Sequence, residues 1–206
     1  MNFADALRTA RLVAIIRGTD ADASFRTVMT LAEAGVSLIE ISLTGRDALH
    51  VIRRARAELG TDAWLGAGTV LTADDAQHAA EAGANLSVTP GLGAGLDTSV
   101  RLGLPVLAGV LTPSEVIAAN AAGATALKLF PASVGGPDYL KALRAPFPDA
   151  PFVPVGGVDA AAARAYLAAG AVAVGVGSPL VGDAADGGDL AALRTRAADF
   201  LSVCGG

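Results

Sequence analysis

Four times along the chain the same alternation returns: an Ala-rich amphipathic stretch, a glycine, then a short apolar run. The phrases are AEAGVSLIEIS from Ala32, AEAGANLSVTP from Ala80, AAGATALKLFP from Ala121 and AAGAVAVGVGS from Ala168. Each reads as a helix end, a glycine suited to a left-handed cap and a buried strand. Between them lie four further apolar runs, Leu12 to Arg17, Trp64 to Gly68, Pro105 to Gly109 and Phe152 to Val155, which brings the strands to eight. Helices are expected over 21–34, 47–59, 73–82, 92–102, 113–122, 137–145, 159–169 and 189–201, several opening with residues that cap or begin helices.

Strands of four to six residues with almost no charge imply burial on both faces, as in a parallel sheet. Eight strand-helix units average roughly 26 residues each, which fits a small α/β fold, a single-domain (β/α)8 barrel over residues 1–206. An open doubly wound sheet competes with it. Eight units, and no GxGxxG after the first strand, count against that alternative.

Composition then removes several classes of function. The chain is 52% hydrophobic but only 4% aromatic, so its apolar mass is Ala, Val and Leu, too much for a disordered chain. A net charge of −5 with so few aromatics argues against a nucleic-acid partner. The single cysteine, Cys204, permits no internal disulfide and suits a cytoplasmic location. The first dozen residues carry Asp5, Arg8 and Arg11 and do not read as a signal peptide. Eighteen uncharged residues from Ala165 to Gly182 approach the length of a membrane span, but their glycines and Pro179 divide them into helix end, turn and strand. No membrane partner is expected.

In such a barrel the chemistry sits at the carboxyl ends of the strands. The polar residues there are few: Arg17, Glu40, Thr69, Thr89 with Pro90, Lys128, the pair Gly156 and Gly157, and Gly177 with Ser178. Side chains alternate along a strand. In ALKLFP, if Leu127 and Leu129 cover the helix side, Lys128 points into the barrel with Ala126 and Phe130. The same reasoning turns Glu40 inward between Ile39 and Ile41, and Arg17 inward with Val13 and Ile15, so that three ionisable groups are expected at one height. A buried charge is costly unless paired or used. One reading is a structural ion network in which Glu40 bridges Arg17 or Lys128; the other is a catalytic site.

Lysine is informative because arginine is the default cation here, thirteen Arg against Lys128 and Lys141 alone. Arginine serves for a salt bridge, whereas a desolvated lysine can deprotonate and attack a carbonyl. Lys141 lies in the helix pattern YLKAL and reads as a solvated lysine. Glu40 could move protons for imine chemistry, and Arg17 suits a bidentate grip on a carboxylate, or simply caps a strand end. The loops PVGGVDAAAARA and VGVGSPLV follow the seventh and eighth strands, where such barrels commonly bind phosphate. GAGT at Gly66 to Thr69 is either a tight turn or a set of carboxylate donors. His50 and His78 fall in helix patterns as surface residues, so no metal is expected.

These residues carry a resemblance that covers nearly the whole chain. VAIIRG, LIEISLT, GAGTVL, VTPG, ALKLFPAS, GPDYLKAL, FVPVGGV and VGVGSPLV occur in the order seen in lysine-dependent 2-keto-3-deoxy-6-phosphosugar acid aldolases, and the chain resembles that family. The resemblance implies a cofactor-free (β/α)8 homotrimer that forms a Schiff base at Lys128. It implies Glu40 as acid and base, Arg17 on the pyruvate carboxylate, and Gly156, Gly157, Gly177 and Ser178 around the phosphate. Thr69, Pro90, Phe130 and Val155 complete the expected lining. Many gluconate-series members have Thr before the glycine pair, FPAE after the lysine and Arg four residues after the glutamate. This chain has Val155, Ser133 and Thr44 there, and is more similar to the galactonate branch. A dual-specificity aldolase, a phosphosugar isomerase or epimerase, and a noncatalytic barrel that binds a phosphorylated sugar acid are the alternatives.

Overall fold

The eight apolar runs form eight parallel strands in a computed structural model that describes residues 1–205. They are β1 (Leu12–Ile16), β2 (Leu38–Ser42), β3 (Trp64–Gly68), β4 (Leu86–Val88), β5 (Val106–Val110), β6 (Ala126–Leu129), β7 (Phe152–Pro154) and β8 (Val174–Val176). Each of β1 to β6 pairs with the next, and β8 pairs back onto β1. The remaining gap is bridged at Val155 and Gly175, and Val172 N–H donates to the Phe152 carbonyl at 3.0 Å. The sheet is therefore a nearly closed barrel, and the open doubly wound alternative is excluded.

Ten α-helices accompany the strands: α1 (Phe3–Ala10), α2 (Ala21–Glu33), α3 (Ala48–Leu59), α4 (Ala73–Glu81), α5 (Ala94–Arg101), α6 (Pro113–Ala121), α7 (Gly136–Arg144), α8 (Ala160–Ala168), α9 (Ser178–Val181) and α10 (Leu190–Cys204). Their starts are written locally. Thr72 with Asp75 and Thr112 with Glu115 form reciprocal capping boxes, and Asp20, Asp159 and Asp189 accept helix N–H groups. The repeated phrase ends its helix each time on a glycine with positive φ, at Gly35, Gly83, Gly123 and Gly170.

Alternation along the strands sorts the core into two layers. Ile39, Ile41, Leu127 and Leu129 face the surrounding helices, whereas Leu38, Leu86, Leu107, Ala126 and Val153 fill the barrel. Two helices depart from the expected eight. Helix α1 buries Phe3, Ala6 and Leu7 against that inner layer, with the Phe3 ring tilted against Trp64 at a centroid distance of 5.2 Å, and so plugs the amino end of the barrel. Helix α9 begins directly where β8 ends. The uncharged stretch from Ala165 to Gly182 divides among α8, β8 and α9, and among the described residues no helix is long and apolar enough to cross a membrane.

Candidate active site

At the carboxyl end of the strands lies a cavity of about 410 Å³. All eleven expected residues line it: Arg17, Glu40, Thr69, Pro90, Lys128, Phe130, Val155, Gly156, Gly157, Gly177 and Ser178. A larger cavity of about 550 Å³ lies at the amino end, but Asp62 is the one charged side chain on its wall and it holds no lysine. Chemistry, not size, distinguishes the two.

Lys128 is the third residue of β6 and Glu40 the third of β2, both inward and both buried, at 5% and 1% exposure. Among the described residues neither forms an ion pair, and Glu40 Oε2 is buried without a hydrogen-bond partner. Glu40 thus makes no direct salt bridge to Arg17 or Lys128. Burial holds the Glu40 carboxyl above its ordinary value of 4.5, partly offset by the charges of Lys128 and Arg17. A carboxyl whose affinity for its proton is raised in this way is suited to general acid and base work. Gly68 makes room for it, since a Cβ there would overlap the carboxylate. The Lys128 ammonium lies 4.9 Å from the centre of the Phe130 ring, which is itself packed against Gly156.

Arg17 requires a correction. Ile15, not Arg17, is the register partner of Glu40, so Arg17 stands two residues further on, past the end of β1. The three ionisable groups therefore occupy two levels: Glu40 and Lys128 lie buried inside, and Arg17 is exposed above them. Its Nε donates to Ser42 Oγ at 3.4 Å. Ser42 is fully buried, and its hydroxyl pairs at 2.9 Å with both Thr44 and Thr69. Thr69 has φ of 59°, rare for a β-branched residue and characteristic of positions that the surrounding structure over-determines.

On the opposite wall, Gly156 and Gly157 have consecutive positive φ values of 96° and 74°, a backbone that the paired glycines permit. The segment after β6 is stitched to this turn: Ala132 N–H donates to the Val155 carbonyl at 2.8 Å and Ser133 N–H to the Gly156 carbonyl at 3.1 Å. The buried Tyr166 hydroxyl holds the same segment by donating to the Ala132 carbonyl at 2.7 Å. Gly177 has room for a side chain; the glycine that packing demands is Gly175, where a Cβ would approach Val155 Cγ2 to 2.6 Å. Lys141 pairs with Asp138 on the surface of α7, and His50 and His78 are exposed on α3 and α4, as expected. Among the described residues, no three His, Cys, Asp or Glu side chains are grouped to hold a metal ion.

Two features of the site lie outside the expected set. Ser42 lies two residues after Glu40 on the same inward face, so the period of two could have found it. Gly175 owes its role to a contact with Val155, twenty residues away, which periodicity does not reveal.

Fold and site together define a (β/α)8 barrel whose mouth holds a buried, unpaired lysine and glutamate. Residues 3–195 match the family described as KDPG and KHG aldolase. A Rhizobium meliloti (strain 1021) protein named "Probable 2-dehydro-3-deoxy-6-phosphogalactonate aldolase" is 38% identical over 199 residues, 95% of this chain and 93% of its own length. A 2-dehydro-3-deoxy-phosphogluconate aldolase of Pseudomonas aeruginosa is 40% identical over 167 residues, 78% of this chain and 74% of its own. The solved structure called native KDPGal superposes with a TM-score of 0.87 at 34% identity, covering 93% of each chain. The chain belongs to the KDPG and KHG aldolase family. It is an aldolase, and so a lyase.

Proposed function

We propose that the chain cleaves 2-dehydro-3-deoxy-6-phosphogalactonate reversibly into pyruvate and D-glyceraldehyde 3-phosphate through a Schiff base at Lys128. The observation that carries this reading is the buried pair without an ion partner: Lys128 and Glu40 share one cavity, and neither is spent on a salt bridge. The Lys128 amine adds to the C2 ketone, and the carbinolamine hydroxyl takes a proton from Glu40 and leaves as water, giving a protonated imine. Glu40 accepts the C4 hydroxyl proton as the C3–C4 bond breaks. The bonding pair passes into the iminium to give an enamine, and glyceraldehyde 3-phosphate departs. Protonation of the enamine at C3, with Glu40 as the proton source, regenerates the imine, and water releases pyruvate from Lys128.

Arg17 and Thr69 grip the carboxylate of the pyruvate half, and Gly156, Gly157, Gly177 and Ser178 receive the phosphate. Pro90 and Phe130 form apolar walls. Val155, 5% exposed, faces C4; it offers no hydroxyl to hydrogen-bond the substituent that distinguishes the galactonate from the gluconate series. The name of the Rhizobium relative supports the galactonate assignment, and the name of the Pseudomonas relative makes the gluconate isomer the alternative. We also propose a cytoplasmic homotrimer; exposed Leu71 and Leu92, which share a shallow apolar depression with Pro90 and Leu96, support association of copies.

The test is pyruvate release from the two C4 epimers in one coupled assay. The proposal expects a higher kcat/KM for the galactonate-derived epimer. A higher value for the gluconate-derived epimer overturns the substrate assignment, and no release from either overturns the activity.

A further inference from the structure

The Gly- and Asp-rich segment DAADGGD, Asp183 to Asp189, has no counterpart in the chemistry above, yet its contacts are directed at one place. It is a compact turn: Asp186 N–H and Gly188 N–H both donate to the Asp183 carbonyl, at 2.9 and 3.0 Å, and Gly187 adopts φ of 97°. From this turn the Asp186 carboxylate reaches the loop after β1. One oxygen, Oδ1, accepts both the Thr19 N–H at 2.6 Å and the Thr19 hydroxyl at 2.8 Å. The neighbouring Ala185 carbonyl accepts the Ser24 hydroxyl at 3.3 Å and sits so close to Gly18 that a Cβ there would overlap it. Among the described residues Asp186 has no cationic partner, so its charge is directed to Thr19 alone. Those two donors hold its carboxyl below the ordinary value and keep it an acceptor at neutral pH.

The loop held in this way carries Arg17. On its other side the Gly18 carbonyl accepts the Arg46 N–H at 2.9 Å, and Arg17 Nε reaches Ser42. The Arg17 side chain is exposed, so packing does not fix its guanidinium; its position depends on the backbone of residues 17–19. The segment also follows directly on α9 and Gly182, whose residues Ser178, Pro179, Val181 and Gly182 wall the cavity on the side assigned to phosphate.

We propose that Asp183–Asp189 is a strut between the two anion-binding ends of the cavity, with Asp186 as a positioning residue that holds Arg17 at a fixed distance from Gly177 and Ser178. The inference rests on the reading of Arg17 as the carboxylate grip. A carboxylate is gripped well only when its receiver is correctly placed, so a displaced Arg17 weakens binding of the substrate and of pyruvate alike before it affects bond cleavage. Thr19 and Asp186 touch neither the lysine nor the glutamate, so their loss falls on KM.

The experiment uses the full chain with Asp186→Ala, Asp186→Asn, Thr19→Val, the double variant Thr19→Val/Asp186→Ala, and Arg17→Leu as reference. Three readouts are taken: kcat and KM for cleavage, the pyruvate KM in C3 deuterium exchange, and amide hydrogen exchange of the peptide that spans Arg17 to Thr19. The strut predicts that Asp186→Ala raises both KM values about tenfold, with kcat within about twofold, and that this peptide exchanges faster. It predicts a smaller change for Asp186→Asn, which keeps one acceptor, and no further loss in the double variant. Unchanged exchange in Asp186→Ala, or additive KM effects in the double variant, overturns the strut. Faster exchange with pyruvate KM unchanged in Asp186→Ala, while Arg17→Leu raises it, overturns the link to binding. If Arg17→Leu also leaves the pyruvate KM unchanged, the reading of Arg17 as the grip fails instead.

Discussion

The two ends of the barrel are built from the same strands and do opposite things. At the amino end the inner wall is Leu38, Leu86, Leu107, Ala126 and Val153, sealed by Phe3 and Leu7 of α1. Two residues further along β2 and β6, Leu38 gives way to Glu40 and Ala126 to Lys128. The alternation that fills one end with aliphatic side chains thus delivers two ionisable groups, equally buried, to the other. One end supplies stability through apolar burial; the other carries buried groups without salt-bridge partners, a cost that the proposed chemistry would account for.

That contrast can be broken at either end. The largest effect belongs to Lys128→Met, a substitution of similar length that removes the amine. It is expected to abolish pyruvate release in the coupled assay while the variant still melts cooperatively. Next is Glu40→Gln, expected to lower kcat by about 10²- to 10⁴-fold in steady-state kinetics. Its stability should move the other way. The native fold favours the protonated Glu40, whereas an unfolded chain titrates near the ordinary value of 4.5. Below 4.5 both states are protonated and parent and variant melt alike. As pH rises above it the parent loses stability until Glu40 ionises in the native state, and Glu40→Gln, which stays neutral, does not. Melting temperatures across pH therefore diverge in favour of the inactive variant.

At the sealed end the expectation is reversed. Phe3→Ala empties the centre of the plug and is expected to cost about 3–5 kcal/mol in denaturant unfolding, with kcat/KM per folded molecule unchanged. The smallest effect is at the wall of the mouth. Val155→Thr, nearly the same volume with one hydroxyl added, is expected to shift the kcat/KM ratio of the two C4 epimers toward the gluconate series by about tenfold, read in the same assay.

The sequence reading and the structure agree where the information is local. Four glycine-capped repeats locate strands and helices because a left-handed cap and a capping box are decided within a few residues. The inward direction of Glu40 and Lys128 follows from alternation alone. Helix α1 is not legible in the sequence because its apolar face consists of Phe3, Ala6 and Leu7, too short a pattern to stand out without the barrel end it covers. Arg17 stands higher than alternation along one strand predicts, because register between strands is a property of pairing, not of either strand. The contact of Gly175 with Val155 and the clasp of Thr19 by Asp186 across 167 residues join segments distant in sequence, so no local pattern carries them.

The central claim is that, of the chain's two lysines, the one facing into the barrel is the nucleophile. Borohydride reduction in the presence of pyruvate, followed by peptide mass mapping, tests it directly. The account predicts a stable pyruvate-derived adduct on Lys128, absent without pyruvate and absent from Lys128→Met. An unmodified Lys128, or an adduct on Lys141 instead, would contradict it.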